Sequence, residues 1–284
     1  MSSEMCAPLS LTRAIEDYPI GNIALKEHQR AALEATGLLD KLSIHPHAWL
    51  AVSDLDQLCS SHRTTLLDER GNTLAWRGEA ADERSALQAA ASFQIQYPWD
   101  LLRANEQFVA ALSDDRIEGD VHALAVIEGR VHLGKGSRIL PGVFIEGHVI
   151  IGENCKIGPN CYIRGNTSVG DNCHIGQSVE IKNCLILSKT NVGHLSYVGD
   201  SVLGEKVNFG AGTTTSNLRH DGGNHTSRVE GRMVDTGRRK FGTIVGDGVH
   251  TGINTSIYPG RKLWPNTSTL PGEIVRKDIL KSLF

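Results

Sequence analysis

No apolar run in this chain is long enough to cross a bilayer, and its start, MSSEMCAPLS, lacks the charged and then apolar regions of a secretory signal. A cytoplasmic location without a membrane partner is the expectation. Nor is there an excess of one charge sign: 29 Lys and Arg against 32 Asp and Glu leave a formal net charge of -3. That balance supplies neither a global basic field for nucleic acid nor a polybasic run for a membrane surface, so any anion site must be local. The six cysteines, Cys6, Cys59, Cys155, Cys161, Cys173 and Cys184, contain no C-x-x-C pair. A zinc cluster or redox dithiol is therefore not expected, no metal is assigned, and the thiols read as free and buried. With 284 residues and 40% hydrophobic content, the chain suffices for one large domain or two modest ones.

What is present is a period of six. Aliphatic residues recur at Val121, Ile127, Leu133, Ile139, Ile145, Ile151, Ile157, Ile163, Val169, Ile175, Ile181 and Leu187. A small or β-branched residue follows most of them four positions later, as at Ala125, Val131, Ser137, Val143, Val149, Cys155, Cys161, Thr167, Cys173 and Val179. After one-residue slips the pattern continues at Val192, Val198, Leu203 and Phe209, breaks for a polar stretch, and resumes at Val245, Thr251, Ile257, Leu263 and Thr269, for 21 hexads. This is the repeat of a parallel β-helix. Solenoids of the acyltransferase kind place three hexads in each triangular turn; that resemblance implies about seven coils of eighteen residues, about 4.8 Å apart and wound left-handed. The period makes Cys155, Cys161 and Cys173 core residues. It likewise turns Thr167, Thr255 and Thr267 inward, which, with no secretory signal, argues against glycosylation at Asn166, Asn224, Asn254 or Asn266.

Residues 1–115 have another texture. A helical pattern runs through ALKEHQRAALEATG and stops at Gly37, TTLLDERGNTLAW reads as a hairpin, and PWDLLRANEQFVAAL opens a helix on Pro98. These predict a small α/β region ending in a linking helix, with the boundary in SDDRIEGD, a solenoid over 116–276 with an insertion at 214–242, and a tail over 277–284.

In a coil of eighteen, Arg164 and Lys182 lie one above the other. Stacked like charges are destabilising, so either an anion such as phosphate bridges them or they form a solvated face that Glu128 and Glu146 of the same column partly neutralise. His194 sits at a break in register where a coil corner can direct it outward, and histidine titrates near neutrality. Near it in sequence are Tyr197, Asn208 and the polar insertion, which carries Arg219, Arg228, Arg232, Arg238, Arg239 and Lys240.

The stretches VEIKNCLILSKTNVGHLSYVGDSVLGEKVNFGAGTTTSNLRHDGGNH and GRRKFGTIVGDGVHTGINTSIYPG resemble the acetyltransferase domain of the bifunctional N-acetylglucosamine-1-phosphate uridyltransferase / glucosamine-1-phosphate acetyltransferase family, in its archaeal type with a longer loop. The likeness covers roughly residues 95 to 276, from YPWDLLRAN onward. It implies a homotrimer that transfers an acetyl group from acetyl-CoA to an amino-sugar phosphate. By motif, the catalytic base falls on His194 and the sugar-phosphate contacts on Arg164, Lys182, Tyr197, Asn208 and Lys240. The acyl-donor contacts fall on Asn217, Gly210 and Gly212, although Leu218 stands where the bacterial enzymes carry an aromatic residue. Further upstream, PLSLTRAIEDYPIGNIALKEHQRAALEATG resembles the early part of a sugar nucleotidyltransferase. The Gly-rich phosphate loop is missing there, and Ile15 occupies about the place of the lysine, so nucleotidyl transfer loses its main electrostatic help.

Three other readings compete with acetyl transfer. One is a silent scaffold that still binds a sugar phosphate or sugar nucleotide. Another is a sugar-phosphate nucleotidyltransferase. The third is a carbonic anhydrase of the γ type, to which His220 and His225 lend a suitable spacing although both lie in the insertion.

Overall fold

The computed structural model describes residues 3–281. Residues 116–279 form a three-faced parallel solenoid. One face is a seven-stranded parallel sheet from Asp120–Val121 to His250–Thr251, which the His250–Ser268 bridge extends by a rung. On the second face the rungs are Val126, Phe144, Tyr162, Glu180, Tyr197, Thr214, Ser256 and Ile274 with their neighbours, eight in all. The expected count of about seven coils is therefore corrected to eight, because the hexad series passes over two rungs of this face, Thr214–Thr215 at the start of the insertion and Ile274–Val275 beyond Thr269. Val121 was expected inward, yet it is exposed, since the first rung of that face has no strand beneath it.

The aliphatic positions converge on one core from Val131 to Val275 that includes Ile139, Ile157, Ile175 and Ile181. The small position has a second task. Corner carbonyls leave the ladder there, and the side chain returns to satisfy them: the Cys155 and Cys161 thiols donate to the carbonyls of Gly170 and Gly176, and the Ser137 and Thr190 hydroxyls to those of Gly152 and Gly204. A residue there must be small and, at these four sites, able to donate, which explains the cysteines without redox chemistry. Thr167, Thr255 and Thr267 are buried as expected.

The slips are turns of seventeen residues in place of eighteen. Lys156 pairs His174, but His174 pairs Asn191 and Glu180 pairs Tyr197. One slip comes earlier than the hexad count suggests: Ile186 continues the inward column above Val169, while Leu187, expected inward, joins the cluster beneath the N-terminal region.

That region carries three helices, α1 (Leu25–Ala35), α2 (Val52–Ser60) and α3 (Pro98–Ala110), with short sheets including the predicted hairpin of Thr65–Leu67 and Thr73–Trp76. Pro98 opens α3, and the Asp100 carboxylate accepts from the backbone N–H groups of Gln96 and Tyr97 ahead of it. Helix α3 is laid against the third face of the solenoid, where Trp99, Leu101 and Leu102 share a cluster with Leu185, Val202, Phe241 and Ile244. Asn105 joins the two polar frameworks, its amide oxygen accepting from Ser168 Oγ at 2.6 Å and from the Gly21 N–H at 3.1 Å. The insertion is ordered as well. It forms an antiparallel hairpin of Thr226–Val229 and Arg232–Asp235, pinned by Val229 and Phe241 in the same cluster and by Ser227 donating to the Gly260 carbonyl.

Candidate functional site

The second face gathers most of the predicted polar residues. Successive rungs place Glu146, Arg164, Lys182 and Gly199 in one outward column, with Tyr162, Glu180 and Tyr197 in the column two residues earlier. Arg164 and Lys182 are thus adjacent, as the spacing required. Their repulsion is offset within the chain: Arg164 donates from Nε and Nη2 to Glu180 at 2.9 and 2.7 Å, and Lys182 Nζ lies 2.8 Å from both oxygens of Asp200. Hydrogen bonding to Glu180 also holds the Arg164 guanidinium above its usual range.

Asp200, itself buried, organises a network of half-buried partners. Its oxygens accept from Asn183 Nδ2 at 3.1 Å and Asn217 Nδ2 at 2.5 Å, and Asn217 Nδ2 also lies 3.0 Å from the Tyr197 hydroxyl. Gly199 makes the approach possible, since a Cβ there would stand 2.5 Å from the Tyr197 hydroxyl and 2.8 Å from Asn217 Nδ2. Burial first, then the charges of Asp200 and Glu180, push the Tyr197 phenol up to about 12. Through Asn183 the network reaches Glu106 of α3, which pairs with Arg238 of the insertion. One carboxylate of the N-terminal region therefore ties the insertion to the column that carries Lys182.

Asn217, assigned by resemblance to the acyl donor, lies in this network against Tyr197. His194 occupies the exposed corner three residues before Tyr197, stacked between Gln177 and Ala211, and its side chain makes no hydrogen bond to a described residue. Gly210 and Gly212 form the corner one rung above it; Gly212 needs its φ of 70° there and donates to the His194 carbonyl. Asn208 lies on the neighbouring face, between Asn191 and His250. Lys240 is exposed beside Leu218, to which it bridges at the end of the insertion. His220 is exposed. His225 is buried and donates Nε2–H to the Asn217 carbonyl, and no group of three or more His, Cys, Asp or Glu is placed to hold a metal among the described residues.

Asp200, Glu180, Asn183 and Glu106 escaped the sequence reading. Asp200 lies next to Gly199, which the seventeen-residue turn sets above Lys182, so it reaches the lysine from one place beyond the stacked position.

Residues 145–268 match the family described as the GMPPB C-terminal domain. A bifunctional sugar-1-phosphate nucleotidylyltransferase/acetyltransferase of Sulfurisphaera tokodaii is 35% identical over 242 residues, covering 85% of this chain and 56% of that protein. The bifunctional proteins GlmU of Methanococcus vannielii and Methanococcus maripaludis are 41% and 46% identical over 190 residues, covering 67% of this chain and 45% and 46% of theirs. The chain spans about half the length of the curated relatives it matches. The resemblance read from HLSYVGD, VNFGAGT and RRKFGT holds: the chain is related to these archaeal bifunctional proteins.

Proposed function

We propose that the chain is an acetyl-CoA-dependent N-acetyltransferase acting on an amino-sugar phosphate such as glucosamine-1-phosphate. The observation that carries this reading is the placing of Arg164, Lys182, Tyr197 and Asn217 on one outer face, beside the corner that exposes His194. The printed names of the relatives, which pair a sugar-1-phosphate activity with acetyl transfer, point the same way.

In this mechanism the two cations divide the labour of holding phosphate. An ammonium has three donors; Asp200 takes two of the directions open to Lys182 and leaves one for the ligand. Arg164 would exchange the half-exposed Glu180 for a phosphate in bidentate geometry. Tyr197 and Asn208 would hold the sugar and Lys240 would reach the phosphate from the insertion, with Asn217, Gly210 and Gly212 at the acyl donor. His194 accepts the proton that the acceptor amine loses as its nitrogen attacks the thioester carbonyl. A backbone N–H stabilises the tetrahedral oxyanion, and the thiolate of coenzyme A leaves.

The same reading includes left-handed winding, a cytoplasmic homotrimer whose sites lie between neighbouring solenoids, and a division near residue 115 between the N-terminal region and the solenoid. A thiol-release assay with acetyl-CoA and glucosamine-1-phosphate tests the activity. Absence of release over a panel of amino sugars and their phosphates sinks it, and phosphate-sugar binding in calorimetry without thiol release would favour the scaffold.

A further inference from the structure

The third face ends in an oddity. Its outward column runs Leu185, Val202, Ile244 and then Lys262, so a lysine stands where three aliphatic residues precede it under the N-terminal region. Lys262 is 2% exposed, and its ammonium forms no ion pair or hydrogen bond with a described residue. Asp278, the near carboxylate, uses Oδ1 to accept the Lys262 backbone N–H at 3.0 Å. Burying an unpaired charge is costly, and an apolar residue of similar volume would be cheaper.

Lys262 lines a cavity of about 700 Å3 between the insertion hairpin, the last rungs and the C-terminal segment. Arg228, Arg261 and Lys277 line it too, none of them ion-paired to a described residue, and they outnumber the two carboxylates present, Glu230 and Asp278. Trp264, Val229 and Leu280 supply an apolar wall. The volume falls within the roughly 300 to 1,000 Å3 of small-molecule sites, far more than a bare phosphate fills. Excess cations and an indole in one lining suit a ligand with an anionic end and a flat ring, since bases stack on aromatic side chains regardless of sequence.

We propose that this cavity is a nucleoside-phosphate site, separate from the Arg164–Lys182 cluster, in which Lys262, Arg228 and Lys277 hold the phosphates and Trp264 carries the base. It lies on the face covered by the N-terminal region, so it does not depend on acetyl transfer. The lysine is retained because the ligand supplies the counter-charge that the chain withholds.

Calorimetry on the full chain with UDP, ADP and inorganic phosphate as probes decides the matter. We expect one nucleotide per chain, held at least tenfold more tightly than inorganic phosphate. Lys262→Met should weaken the nucleotide at least tenfold while leaving the melting temperature equal or higher, because the variant removes an unpaired buried charge. Lys182→Ala should leave nucleotide binding unchanged. If Lys262→Met does not fold, Arg228→Ala and Lys277→Ala, at exposed positions, should each weaken binding about threefold or more. The proposal fails if neither nucleotide binds at millimolar concentration, if phosphate alone binds as tightly, or if binding is lost with Lys182 and survives the loss of Lys262, Arg228 and Lys277.

Discussion

Both carboxylate oxygens of Asp200 lie 2.8 Å from the Nζ of Lys182, and Asp200 is only 2% exposed, whereas the neighbouring Arg164–Glu180 pair is about one-third exposed on each side. The two stacked cations are therefore held by unlike means. Lys182 is anchored by a buried carboxylate that is itself hydrogen-bonded by Asn183 and Asn217, while Arg164 leans on a surface carboxylate that a ligand can replace.

Asp200→Asn keeps the shape and removes the buried charge, so it should cost about 3 kcal/mol of stability, read from urea denaturation. Glu180→Gln should cost less than about 1 kcal/mol and lower the acceptor's KM by freeing Arg164. Equal losses from the two substitutions would contradict the division between anchored and exchangeable cations.

If His194 is the base, His194→Ala lowers kcat by about 10² to 10⁴ and leaves the acceptor's KM within a few-fold, because a base acts only in the transition state. Lys182→Ala should instead raise the acceptor's KM, by the equivalent of about 1.5 to 3 kcal/mol, with the KM for acetyl-CoA unchanged. Steady-state kinetics with each substrate varied separate the two roles, and wild-type kcat in His194→Ala removes it from the mechanism.

Gly199→Ala puts a methyl group where the Tyr197 hydroxyl and Asn217 amide converge, at 2.5 and 2.8 Å. One of them must swing away. The expected result is a rise of about tenfold or more in the acceptor's KM, while the variant still unfolds in one transition by circular dichroism. Unchanged KM would show that the contact between Tyr197 and Asn217 is dispensable.

The Tyr197 phenol, pushed up to about 12, binds its proton more tightly in the folded state than in the unfolded chain, where its value is about 10. Its contribution to stability is therefore complete below about pH 10 and is lost as pH rises toward 12. Denaturation midpoints should fall over that interval and fall less steeply in Tyr197→Phe. A drop of the same slope in the variant would assign the loss to other groups.

Five of the six thiols, Cys6, Cys155, Cys161, Cys173 and Cys184, are buried, and Cys59 alone is half-buried. Burial pushes Cys161 up to about 11 and Cys184 up to about 12, which denies both the thiolate form at neutral pH. A disulfide reagent should thus modify one thiol per native chain and six after denaturation, with Cys59→Ser abolishing the fast reaction. Two or more fast thiols in the native protein would show that the core opens readily.

The solenoid was legible in the sequence because its contacts are periodic. A residue meets its neighbour one turn away, so Ile145, Ile163 and Ile181 declare one inward column and Arg164 and Lys182 one outward column before any coordinate is known. The inward cysteines followed from the same rule, as did the approximate place of each slip. Tertiary structure decided what periodicity does not carry. Glu106 meets Arg238 from 132 positions away, through a helix laid across the solenoid, and no repeat encodes that distance. The early slip at Ile186, which turned Leu187 outward, depended on an apolar surface that α3 provides. Whether Lys182 and Lys262 would find counter-charges was likewise a matter of where side chains end. Asp200 bends back onto the first through a left-handed corner at φ 50°, while Asp278 gives its oxygen to backbone in place of the second. Stacking order is set by local backbone spacing and so is written along the chain; charge compensation is set by distances of a few ångströms between tips of side chains, which only the assembled fold fixes.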